Sequence, residues 1–184
     1  MPQISASGIR SDVLNDLRPL FETVPMLKMF AGIAQLSLII DANILMGDLL
    51  WMTKKRATAG ARTELFELLK AGTIQAFAPT FLIDEMAVNL TREAKRKKIS
   101  LDALNGVWME YREFISFVDV GGPDAAFLDP KDAPYIKLQQ KIGALIYSRD
   151  EHIKMMNGIV VSAAIVASLR IYSRHVVVES PPYH

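Results

Sequence analysis

The chain has 184 residues, at the upper end of the usual span for one domain (~100–200 residues), so one core with an extension is expected. Half of it (51%) is hydrophobic, ample for a buried core and too much for a disordered chain, and the lack of cysteine excludes a disulfide framework and any thiolate metal site. The net charge of +1 excludes a polycation, although Lys54-Lys55-Arg56 and Arg92 to Lys98 are basic clusters suited either to phosphate contact or to plain solvated helix ends.

No signal-peptide pattern is visible, and the longest apolar stretch, Gly158 to Leu169, is shorter than the ~20 residues a bilayer demands. A soluble, cytoplasmic protein with no membrane partner is expected. The histidines, His152, His175 and His184, are far apart in sequence and show no zinc spacing, so a metal would rest mainly on oxygen ligands.

In chain order, apolar residues at helical spacing (Leu14, Leu17, Phe21, Val24) predict a helix over 11–30, and a boundary falls near Gly32. This divides the chain into an N-terminal helical extension, 1–34, and a domain, 35–184. Leu36 to Ile40 is a continuous apolar run, as in a central parallel strand covered on both faces. Helices are predicted from Ile44 to Trp51 and from Ala61 to Lys70, followed by a strand from Ile74 to Ala78. Pro79 is expected to open a helix reaching Lys97, and Leu101 to Phe114 to form the next. Strand Ile115 to Val120, a Gly121-Gly122-Pro123 turn, a helix with Pro134 in its first turn and Gly143 at its close, and strand Leu145 to Ser148 follow. Glu151 to Tyr172 reads as helix, broken at Asn157-Gly158, and Val176 to Val178 as a last strand. Strands alternating with helices imply an α/β fold with a mainly parallel sheet.

Four runs carry acids to the places where such sheets bind ligands: Ile40-Asp41-Ala42-Asn43, Asp84-Glu85, Asp129-Pro130-Lys131-Asp132 and Ser148-Arg149-Asp150. Each has a plainer use. Asp41 and Asp150 could cap the helices after them, Glu85 could be an ordinary boundary residue beside the Leu82, Met86 and Leu90 stripe, and Asp129 fits a helix N-cap ahead of Pro130. Gathered at one end of a sheet, however, such acids would need a cation to coexist, which points to a divalent-metal hydrolase.

The order Ile-Ile-Asp-Ala-Asn-Ile-Leu, a helical Asp-Glu, Asp-Pro-Lys-Asp-Ala-Pro and Gly-Ala-Leu-Ile-Tyr-Ser-Arg-Asp resembles that of the PIN-domain nucleases, over about residues 36–155. The resemblance implies a three-layer α/β/α sandwich. It makes Asp41, Glu85, Asp132 and Asp150 the acidic quartet that holds Mg²⁺ or Mn²⁺, with Asn43 and Ser148 in supporting hydrogen bonds. The implied activity is that of a metal-dependent endoribonuclease acting on RNA, as in the toxins of toxin–antitoxin pairs. An antitoxin protein and a homodimer are the implied partners. Within this picture Asp41 and Asp132 would be the most direct ligands. Lys95, Arg96, Lys97 and Lys98 would contact phosphates, and Trp51, Trp108 and Tyr111 could stack bases or simply fill the core. The absence of histidine from the four runs argues against metal-independent histidine acid–base chemistry.

Two other readings share some of these features. A haloacid-dehalogenase-like phosphatase needs a second aspartate two residues after the first, where this chain has Asn43. A catalytically silent PIN scaffold binding RNA or a protein partner would keep the fold without the chemistry.

Overall fold

The computed structural model describes residues 36–55 and 61–167; the extension 1–34 and the predicted strand Val176 to Val178 lie outside them. The described chain is α/β, with a five-stranded, all-parallel sheet flanked by helices. Strand β1 (Leu36–Ile40) leads into helix α1 (Ala42–Lys55), then α2 (Glu64–Lys70), β2 (Ile74–Pro79), α3 (Phe81–Lys97) and α4 (Leu101–Arg112). After β3 (Ile115–Val118) come α5 (Ala133–Ile142), β4 (Leu145–Tyr147), α6 (Glu151–Met155) and β5 (Val160–Val161), and residues 163–167 are helical again.

The sheet order is β3-β2-β1-β4-β5. β1 is therefore central, and Leu38, Ile39 and Ile40 are each fully buried. Successive strand residues point to opposite faces, so burial of all three requires cover on both sides. Helix α5 lies against β1, β2 and β4, while α1, α3 and α4 pack on one another, an arrangement compatible with a three-layer sandwich. No helix among the described residues is long and apolar enough to cross a membrane.

Local chemistry sets the element ends. Thr63 rather than Ala61 starts α2, because its hydroxyl accepts from the Phe66 amide at 3.2 Å. Pro79 does not open a helix but completes β2 beside Val118, and α3 starts at Phe81. Gly143 closes α5 with a left-handed φ of 71°, as its position after the helix suggested.

The stretch after Asp150 departs most from expectation. Helix α6 stops at Met155, Asn157 takes a φ of 63°, and Val160-Val161 form an edge strand beside β4 instead of continuing a helix. The buried Gln139 side chain accounts for this. Its Oε1 accepts from the Ile159 amide at 2.8 Å, and its Nε2 donates to the carbonyls of Ile159 and Ala144 at 3.0 Å each. Ile146 N also donates to Ile159 O. The β-branched run Ile-Val-Val, ambiguous alone, takes the extended form because the sheet edge and this amide satisfy its backbone.

Candidate active site

From β1 the chain builds outward on one side through β2 and β3, then returns to add β4 and β5 on the other. The strand order therefore switches between β1 and β4, and the crevice beyond their carboxyl ends is where such sheets bind ligands. Asp41 follows β1 directly, and Ser148, Arg149 and Asp150 follow β4. The two loops are tied together, with Asp41 N donating to Tyr147 O at 3.1 Å.

Asp41 is 2% exposed. Its Oδ2 accepts from Ser148 Oγ at 2.6 Å and from Asn43 Nδ2 at 3.5 Å. Burial raises its pKa and the charge of Asp150 adds to that, while the donors from Ser148 and Asn43 oppose it. Glu85, in the first turns of α3, is half-buried, and its Oε2 accepts from Tyr135 OH at 2.9 Å. Burial raises its pKa too, with further contributions from Asp41 and Asp129 set against the Tyr135 bond and Lys131. Tyr135 itself, buried in α5, is held well above its ordinary value by that burial and by the nearby acids, so it remains a donor.

Asp132 shows the crowding most clearly. Its carboxyl is pushed up to about 7 by burial and then by the charges of Asp150, Asp129, Asp41 and Glu85. The other three expected acids therefore lie within electrostatic reach of Asp132. Among the described residues, Asp132 Oδ2 is the buried side-chain atom left without a hydrogen-bond partner. It occupies the N-cap position of α5 but makes no side-chain capping bond, so its carboxylate is left to the crevice. Asp150, by contrast, does cap, accepting from His152 N at 2.9 Å, and Ser148 Oγ accepts from the Asp150 amide at 2.9 Å.

The structure corrects the sequence reading of this region at several points. Asp129 does not cap the helix: Pro130 to Asp132 form a turn, with Asp129 Oδ1 accepting from Lys131 N at 2.9 Å, and the helix begins only at Ala133. Asp129 thereby joins the acids. A histidine also stands at the site, contrary to the reading of the four runs. The first turn of α6 brings His152 Nδ1 to 3.5 Å from Asp150 Oδ1 and 4.0 Å from Asp129 Oδ2. Ligand atoms of Asp129, Asp132 and His152 all fall within 4.8 Å of one another. The only sequence signal for His152 was its place two residues beyond Asp150. Tyr135 gave none, being one aromatic residue on an apolar helix face.

The basic cluster lies at the far end of the helix that carries Glu85. Lys95, Arg96 and Lys97 occupy the last turn of α3 and Lys98 its cap, whereas Glu85 is near the start. At ~1.5 Å of rise per residue they stand roughly 15–20 Å from it along the axis. Arg96 is also paired with the buried Glu93, although its side chain stays largely exposed. The basic groups nearer the acids are Lys131 and Arg149. Of the aromatic candidates, Trp108 and Tyr111 are core residues and Trp51 is 42% exposed.

Comparisons of the chain with protein-family models, with curated proteins and with solved structures found no match.

Proposed function

We propose that the protein is a metal-dependent endoribonuclease of the PIN type, working at Asp41, Glu85, Asp132 and Asp150. One observation carries the reading: Asp132 Oδ2 is buried without a partner, and the charges of four further carboxylates, Asp150, Asp129, Asp41 and Glu85, oppose its ionisation. A cluster of this kind is stable in its charged form only with a cation, and oxygen donors at the end of a parallel sheet suit a hard divalent ion. The all-parallel sheet with helices against it is compatible with the sandwich that the sequence resemblance implies.

Asp41 and Asp132 would hold Mg²⁺ or Mn²⁺ most directly, with Glu85 and Asp150 beside them. When bound, the ion would supply Lewis-acid polarisation of the phosphodiester and a lowered pKa for an attacking water. The protein's own part is orientation. Ser148 and Asn43 fix the Asp41 carboxylate, Tyr135 fixes that of Glu85, and the cap made by Asp150 holds the loop after β4.

The test is cleavage of a panel of structured transfer RNAs with and without Mn²⁺, by the parent and by Asp41→Asn and Asp132→Asn. Mn²⁺-stimulated cleavage by the parent, abolished in both variants while their fold is kept, is the expected result. Cleavage at an unchanged rate in either variant removes the assignment, and a parent that neither binds Mn²⁺ nor cleaves is a silent scaffold. The proposal extends, on the resemblance alone, to a cytoplasmic toxin acting as a homodimer and neutralised by an antitoxin. Ultracentrifugation at micromolar concentration and the character of the neighbouring gene test those parts.

A further inference from the structure

Beside the acids a cleft of about 400 Å³ opens between α1 and the turn that starts α2. That volume lies within the range of small-ligand sites, ~300–1,000 Å³. Asn43, Gly47 and Trp51 line one wall. They are four residues apart on α1 and so form a single stripe along it. Gly47 keeps the middle of that stripe open, since a Cβ built on it meets no atom of the described residues within 4 Å. Arg62 and Arg149, both exposed, face the same space. Asp48 also lines it, with Oδ2 already accepting from Thr63 Oγ1 at 2.7 Å and Tyr111 OH at 3.1 Å, and Glu64 is the other acid of the lining.

None of the site acids lines the cleft, but two of its lining residues adjoin them. Asn43 is the residue that donates to Asp41, and Arg149 lies between Ser148 and Asp150. An exposed indole, an open floor and two guanidinium groups suit an unstacked base with its flanking phosphates. Arg149 is also a basic group beside the acids, unlike the distant end of α3.

We propose that this cleft is a nucleotide-binding subsite, in which one base of an RNA strand stacks on Trp51 while its neighbouring phosphates meet Arg62 and Arg149. The inference rests on the RNA-cleaving reading of the acids and adds to it the surface that would grip the strand.

The test is fluorescence anisotropy of a labelled single-stranded oligoribonucleotide with the full chain in EDTA, where cleavage is silent. Trp51→Ala removes the stacking surface. Gly47→Gln fills the cleft from a helical position where Gln is the better helix former, so folding is spared. Each is expected to raise Kd about tenfold or more, the range typical of a lost base stack, with Trp51→Phe restoring most of the affinity. The chain has two tryptophans and Trp108 is buried, so quenching by the bound strand reports on Trp51 directly. A Kd within twofold of the parent in both Trp51→Ala and Gly47→Gln, or no binding by the parent at low salt, overturns the subsite. Binding lost in both variants while the parent fails to cleave with Mn²⁺ supports the subsite and removes the nuclease reading. Cleavage with unchanged Kd in both variants does the reverse.

Discussion

Ser148 Oγ donates a 2.6 Å hydrogen bond to Asp41 Oδ2, joining the ends of β1 and β4 across 107 positions of sequence. Because the acceptor is a buried carboxylate, the bond counts for more than an ordinary neutral one. Ser148→Ala should cost about 2 kcal/mol and lower Tm by roughly 4–8 °C. It should also raise the pKa of Asp41 further and move the acidic limb of any Mn²⁺-dependent activity to higher pH. An unchanged melting temperature together with an unchanged pH profile would show the bond to be incidental.

The acids make the metal-free protein sensitive to pH. In the folded state the Asp132 carboxyl is raised from 3.8 to about 7. The folded form thus binds more protons than the unfolded chain between those values, so stability falls as pH rises from about 4 through about 7. Asp132 is half-buried, so solvent screening reduces the effect, and Asp132→Asn should recover about 1 kcal/mol at pH 8, or roughly 2–4 °C in Tm. Thermal melts in EDTA at pH 5 and pH 8, repeated with Mn²⁺, check this. Mn²⁺ should stabilise the parent at pH 8 more than it does the variant, and equal stabilisation of the two would detach Asp132 from the ion.

Gln139 determines the conformation of the segment after α6. Gln139→Leu keeps the bulk but leaves the Ile159 amide without its 2.8 Å acceptor and Ala144 O without its donor. A buried group left unpaired costs ~1–3 kcal/mol. Hydrogen exchange at Ile159 and along Val160-Val161 should accelerate well before that of β1. Protection equal to the parent's would mean that strand pairing alone holds this edge.

Gly158 is fixed by space. A Cβ on it would stand 2.5 Å from Ile153 Cγ2, 2.7 Å from Ile153 O and 2.8 Å from Ile136 Cδ1. The carbonyl belongs to the backbone that Gly158 N itself bonds at 2.8 Å, so it cannot yield cheaply. Gly158→Ala should destabilise the fold by about 1–3 kcal/mol, whereas Gly122→Ala, with nothing of the described residues within 4 Å, should leave Tm unchanged. Equal melting temperatures for the two variants would contradict this packing.

Much of the fold could be read from residue patterns because its determinants are local. The Leu36 to Ile40 run, the Leu82, Met86 and Leu90 stripe of α3, and Pro134 with Gly143 at the two ends of α5 each act through neighbours a few positions away. The places of Asp41, directly after an apolar strand-like run, and of Asp150, three residues after another, were legible for the same reason.

Tertiary structure decided the rest. Whether the Ile159 to Val161 run became helix or strand depended on an amide from α5, twenty positions earlier. Asp129 turned from helix cap to member of the acid group because Pro130 to Asp132 bend into a turn, and His152 and Tyr135 reached the acids only through the packing of α6 and α5. The exposure of Trp51 against the burial of Trp108 was set by which helices pack beside them. Sequence fixes what each segment prefers, through torsional and hydrophobic terms that act within a turn or two. Which side chains then share a low-dielectric crevice, and so perturb one another's charge, depends on contacts between elements that no local pattern encodes.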